Sequence, residues 1–256
     1  MWTSGSATTT SLGQGRGAGH RGPSLAACGK GSYLALVAWF ACAAGCRSPV
    51  RGPGPEVAAF ATMSAVEFGA EAARTLPAGS ELVSLRWRFR DAEQGVSGRG
   101  AVRVTPPDSL RVDVRGPLGF GRGTLVLAGP TAWADPERLV RQVLPSRFLI
   151  WAMLGVVQVP DSAERFERGG EGARRWLRVV EPGAVVTTFE LRGDTLAGVV
   201  RMRGDRLAGR LVLVRDGGGR VVRATVEDLE RNARLEFDIN NRMPIGAFPV
   251  EVWRHP

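Results

Sequence analysis

Lysine is nearly missing from this 256-residue sequence: Lys30 is the only one, and arginine supplies the rest of a basic excess that leaves a formal charge of +9. Histidine is as scarce. His20 and His255 sit at the two ends, so no interior imidazole is available for base catalysis or metal ligation. Cysteine is confined to Cys28, Cys42 and Cys46, which excludes internal disulfides, zinc sites and thiol chemistry from everything downstream. The apolar run within Ser32–Cys46 ends at Arg47, short of the roughly 20 residues a membrane span needs. Catalytic motifs are wanting too. Ser97 in Gly95-Val96-Ser97-Gly98 lacks the spacing of a nucleophile elbow, and no helix follows Gly98-Arg99-Gly100 to hold a phosphate, so a strand bend is the simpler reading. The expectation is a protein that is not an enzyme, with no catalytic residue, no metal and no cofactor. Hydrolysis by carboxylates alone is the one catalytic alternative left.

The missing lysine also bears on partners. In a chain rich in Ala, Gly and Val, an all-arginine basic set reflects coding bias, and the arginines stand singly along strands, as in Arg86, Arg88 and Arg90. Solvated strand faces account for them better than a phosphate-tracking groove, so no nucleic acid is expected. Attraction to anionic lipid headgroups stays open.

What the sequence does have begins at its N-terminal end. Residues 1–31 are Gly-, Ser-, Thr- and Ala-rich without periodicity and read as a disordered leader. Residues 32–46 (SYLALVAWFACAAGC) follow Lys30, carry an apolar core and end in small residues, the pattern of an export signal. The tetrad Ala43-Ala44-Gly45-Cys46 resembles the lipobox of bacterial lipoproteins, which makes Cys46 the lipidated first residue of a mature chain. An ordinary cleaved signal and an uncleaved anchor are the alternatives. Leu25-Ala26-Ala27-Cys28 has good lipobox residues but no apolar run before it. Residues 47–55 (RSPVRGPGP) form a tether, and cleavage leaves about 210 residues, enough for one domain, 56–256.

Within that domain, Val57, Phe60, Ala61, Ser64, Phe68, Ala72 and Leu76 recur at helical spacing, predicting a helix from Glu56 to Pro77. The period then becomes two. Strands are expected around Leu85–Arg90, Val102–Thr105, Leu110–Arg115 and Gly123–Ala128. They resume at Arg174–Val180, Val185–Arg192, Thr195–Arg203, Ala208–Arg215, Val221–Leu229, Arg234–Asn240 and Phe248–Trp253. Between the two sets, Asp135-Pro136 opens a short helix with Leu139, Val140, Val143 and Leu144, and Arg147–Leu154 reads as an apolar second one.

The fold class is therefore mainly β with a few helices: a curved antiparallel half-barrel of about ten to eleven strands, its concave apolar side capped by short α-helices. Alternation puts Trp87, Val102, Val112 and Leu125 on the inner face, shared with Leu149 and Trp151 from the second helix, and puts Arg86, Arg88, Arg103 and Arg111 outside. These six apolar residues are the candidate ligand-binding set. A core filled by side chains, with no cavity, is the alternative.

Two stretches carry a resemblance. Ser109–Leu127 (SLRVDVRGPLGFGRGTLVL) places Pro117-Leu118-Gly119 between two strands, and Asp135–Val159 leads from an acidic start through a short helix to an apolar one ending in Leu154-Gly155. Both resemble the LolA/LolB-like superfamily of bacterial outer-membrane lipoproteins, in particular the lipoprotein receptor LolB and its relatives. The resemblance implies a half-open barrel whose helices cap a cavity for acyl chains. It implies an envelope lipoprotein binding lipid or lipoprotein, with roles ranging to lipoprotein localisation, and anchored on the periplasmic face of the outer membrane through acyl chains, palmitate among them, on Cys46. Arg47 after that cysteine, rather than Asp, agrees with outer-membrane sorting. The implied protein is a monomer whose partners are membrane lipid and an acyl-chain ligand or lipoprotein. A structural envelope lipoprotein using the fold as a protein-interaction module is the alternative. One departure counts against the delivery step: the family's receptor has an exposed leucine on an early loop, whereas Asp91–Ser97 here offers only Val96.

Overall fold

Alternating side chains decide the architecture. In β2 (Glu81–Arg90), Val83, Leu85, Trp87 and Phe89 are buried while Ser84, Arg86, Arg88 and Arg90 are exposed. A strand sends successive side chains to opposite faces, so this sequence can satisfy both a core and solvent only when extended. The same logic builds β3 (Gly95–Thr105), β4 (Ser109–Arg115), β5 (Arg122–Ala128), β8 (Arg174–Glu181), β9 (Val185–Arg192), β10 (Thr195–Arg203), β11 (Arg206–Arg215), β12 (Val221–Asp228) and β13 (Ala233–Pro244). The structure is a computed structural model that describes residues 59–117, 121–137 and 146–254. The leader, the signal with Cys46, the tether, Val57, Leu118-Gly119 and the helix expected at Leu139–Leu144 lie outside the described residues.

Three further strands complete the ladder: β1 (Ala61–Met63), β6 (Thr131–Asp135) and β7 (Arg165–Glu171). The described sheet is antiparallel throughout, with the order β1-β7-β8-β9-β10-β11-β12-β13-β2-β3-β4-β5-β6. It therefore has thirteen strands rather than ten or eleven. The additions have a common cause. β7 reads RFERGGE, with no apolar alternation, and is a strand because its backbone pairs with β8 from Arg165↔Val180 to Glu171↔Arg174. β1 and β6 are the two edges, where one face of pairing suffices. The strand expected at Phe248–Trp253 is instead a 3-10 turn, Val250–Trp253, entered through Pro249, which has no N–H to give a ladder.

The first helix also begins later than its apolar stripe suggests. α1 spans Ala65–Ala73 with Ser64 as N-cap. Ser64 Oγ accepts from the Glu67 N–H at 3.2 Å while Glu67 Oε2 accepts from the Ser64 N–H at 2.8 Å. This reciprocal cap satisfies two otherwise orphaned donors and fixes the start. Residues 61–63 are left to pair with β7, and Phe68 and Ala72 are buried.

The second helix, α2 (Arg147–Met153), agrees with its expectation. It packs against β10, β11 and β12 with Phe148, Ile150, Trp151, Ala152 and Met153 buried. Gly155 ends it at φ +91°, a left-handed conformation that suits glycine. Below it one apolar cluster joins residues of β2, β3, β4, β8, β9, β11, β12 and β13, including Val102, Val112, Phe189 and Phe237.

Candidate functional site

A cavity of about 480 Å³ opens at the N-terminal end of α2. Leu149 and Ile150 of the helix form one wall. Leu125 and Leu127 of β5 form another, and Val199, Leu211 and Val226 from β10, β11 and β12 form the third. Each comes from the inward position of an alternating strand. The register sets Leu211 opposite both Val199 and Val226, so three branched side chains lie side by side.

Polar groups ring the opening. Its lining includes four arginines (Arg147, Arg201, Arg210, Arg231) and four carboxylates (Glu137, Glu227, Asp228, Glu230), so the mouth carries no excess of one sign. Arg147 donates to the Gly129 carbonyl. Arg201 reaches Glu181 Oε2 at 3.4 Å and sits 5.9 Å from the Phe148 ring centroid. Glu181 is itself buried and accepts from Ser162 Oγ at 2.6 Å and Thr187 Oγ1 at 2.9 Å. These hydroxyls and the guanidinium satisfy a carboxylate that would otherwise be costly in the interior. Further out, Arg203 Nε donates to Glu230 Oε1 at 2.6 Å, and this hydrogen bond holds the Glu230 carboxyl below the usual glutamate range. An apolar pocket with a balanced, hydrogen-bonded rim can take an amphiphile by its chain without demanding a charged head. Among the described residues, no group of three or more His, Cys, Asp or Glu side chains is placed to hold a metal. No described helix is long and apolar enough to cross a membrane.

No protein-family model matches the chain, and no curated protein does. Solved structures do. One is a LolA superfamily protein from Nitrosomonas europaea, at a TM-score of 0.47 and 11% identity, over 76% of this chain and 99% of that one. A second is a domain named for outer membrane lipoprotein sorting from Vibrio parahaemolyticus, at 0.49 and 8%, over 73% and 94%. A third is a DUF1329 family protein from Desulfovibrio piger, at 0.47 and 10%, over 74% and 95%. The likeness to the LolA superfamily protein is one of fold.

The six candidate ligand-binding residues divide in two. Leu125 and Leu149, both half-buried, line the cavity. Trp87, Val102, Val112 and Trp151 do not line it; they are closed into the core, with Trp151 only 1% exposed. Trp87 Nε1 donates to the Arg99 carbonyl at 3.2 Å. Sequence reasoning missed Leu127, Ile150, Val199, Leu211 and Val226. Their alternation was visible, but which strands lie beneath α2 depends on sheet order. The arginines expected outside are there: Arg86 and Arg88 are exposed, while Arg103 and Arg111 are partly covered and both bind Asp113.

Proposed function

We propose that this domain binds an acyl chain, of a lipid or a lipoprotein, in the cavity beside α2, and that it works as an envelope lipoprotein held at the periplasmic face of the outer membrane by a lipidated Cys46. The observation that carries the reading is the 480 Å³ apolar pocket with its charge-balanced rim. Its volume falls in the range of small-molecule sites. Each methylene buried there contributes about 0.8 kcal/mol, so part of one chain gives useful affinity without a polar anchor. The reading takes the open sheet as a half-barrel. Its support is that β5, next to the β6 edge, and β10 to β12, five or more positions away in the strand order, border the same pocket. On this reading the protein is a monomer, no bond is made or broken, and no cofactor takes part.

A second reading has its own observation. Four of the six apolar positions first expected to hold ligand are packed into a closed core. A filled interior suits a structural envelope lipoprotein that uses the fold as a protein-interaction module. Native mass spectrometry of the purified full chain, followed by displacement of a fluorescent fatty-acid probe, separates the two. Co-purified lipid and saturable probe binding are expected. A protein that carries no lipid and ignores the probe takes the filled-core reading instead.

A further inference from the structure

Arg86, Arg99, Arg115 and Arg122 stand directly opposite one another across β2, β3, β4 and β5. The register pairs Arg86 with Arg99, Arg99 with Arg115, and Arg115 with Arg122. All four are exposed, on the face turned away from the core. With neighbouring strands about 4.8 Å apart, the row runs about 14 Å across the sheet. Like charges set directly opposite each other destabilise a sheet. Among the described residues, none of the four makes an ion pair or a side-chain hydrogen bond.

Several neighbouring arginines of this outer face are paired with carboxylates. Asp238, the next residue in the same row, binds Arg223 at 2.5 Å and Arg88 at 2.8 Å. Glu236 binds Arg234 at 2.5 Å. Closer to the C-terminal turn, Arg111 Nη1 donates to the Val252 carbonyl at 2.9 Å, and Asp113 takes both Arg103 and Arg111. The uncompensated row begins where that cover ends. A depression of about 470 Å³ opens beside it, where Arg99, Arg115 and Arg122 border the paired Arg103, Arg111 and Asp113.

We propose that this row is a docking surface for an anionic lipid membrane, its guanidinium groups donating to headgroup phosphate oxygens. Guanidinium suits phosphate because its planar fork donates two parallel hydrogen bonds. Four of them set across strands, rather than along one, meet an array of phosphates spread in a plane. Nucleic acid fits less well. The rings of the same strands, Trp87 and Phe89, are buried on the opposite face, so β2 offers no stacking surface beside the row. A sheet face with strands on either side does not enter a duplex groove either. The surface acts independently of the cavity and of what the cavity holds.

The test is sedimentation with vesicles of phosphatidylcholine alone or mixed three to one with phosphatidylglycerol. It uses the full chain carrying Cys46→Ser, so that no lipid is attached. Binding to the mixed vesicles is expected to exceed binding to neutral ones and to fall as salt shortens the Debye length. Each arginine near an anionic surface strengthens binding about fivefold, so Arg86→Gln, Arg99→Gln, Arg115→Gln and Arg122→Gln together should weaken it about a hundredfold or more. That variant removes like-charge repulsion and should unfold no more readily than wild type. Arg165→Gln, Arg192→Gln, Arg223→Gln and Arg234→Gln together make the same change in net charge at paired positions and should stay within about threefold of wild type. Equal losses in the two variants, or a folded row variant that still binds anionic vesicles, would overturn the proposal. So would a wild-type chain that ignores those vesicles and binds single-stranded DNA.

Discussion

At the scale of single residues, space and charge are set by positions that look ordinary in the sequence. Gly98 and Gly100 read as a strand bend. In the sheet Gly98 lies opposite Trp87, and a Cβ there would stand 1.9 Å from the Arg115 carbonyl oxygen and 2.9 Å from Trp87 Nε1. The glycine is what lets the Arg115 carbonyl and the Trp87 indole approach β3 this closely. Gly98→Ala is expected to cost about 1–3 kcal/mol in urea denaturation, and a loss below measurement would refute the steric reading. Glu230 gives a charge test. Its folded pKa lies below its unfolded one because Arg203 hydrogen-bonds the ionised form. Its contribution to stability is therefore present above the unfolded value and lost as pH falls through the folded one. NMR titration should find the Glu230 carboxyl below an ordinary glutamate, and Arg203→Ala should move it back up. An unchanged midpoint in that variant would mean the pair does not hold in solution.

At the scale of elements, α2 separates packing from binding along about two turns. Trp151 is sealed into the core, whereas Leu149 faces the cavity and is half-buried. Trp151→Ala should cost about 3–5 kcal/mol through lost burial and the hole left behind. Leu149→Glu should abolish probe binding while costing less stability than Trp151→Ala, because Leu149 is only half-buried and its carboxylate would charge the apolar wall formed by Leu125, Leu211 and Val226. If Leu149→Glu unfolds the protein as readily as Trp151→Ala, the helix covers a closed core and not a site. Val112→Glu is a poorer probe, since Val112 is fully buried and away from the cavity. Arg111→Glu is a poor control for a related reason, because Arg111 ties Asp113 to the C-terminal turn.

At the scale of the whole molecule, the anchor and the sheet answer different questions. Cys46→Ser should release the protein from the membrane fraction under a high-salt wash, which also screens any attraction of the arginine row, or stall its processing, because stable attachment takes more than one acyl chain and this variant has none. Unaltered fractionation and migration would end the lipoprotein reading. The sheet shows how far the chain itself could be read. The ten strands that alternate, among them β2, β4 and β9, were legible because their period of two needs no tertiary information. α2 was legible because five of its seven residues are too apolar to face solvent. β1, β6 and β7 were not legible, since two are short edges and the third is extended only through pairing with β8. By itself the sequence determined a largely β domain with one apolar sheet face, and it determined which side of each alternating strand that face would be. Tertiary structure alone decided register and strand order. Those bring Leu125 and Leu149 together with Val199, Leu211 and Val226, and they draw Arg86, Arg99, Arg115 and Arg122, scattered over 37 positions, into one row. The reason is geometric: alternation is local to a strand, whereas register depends on the loops and bulges between strands and on what the whole sheet packs against.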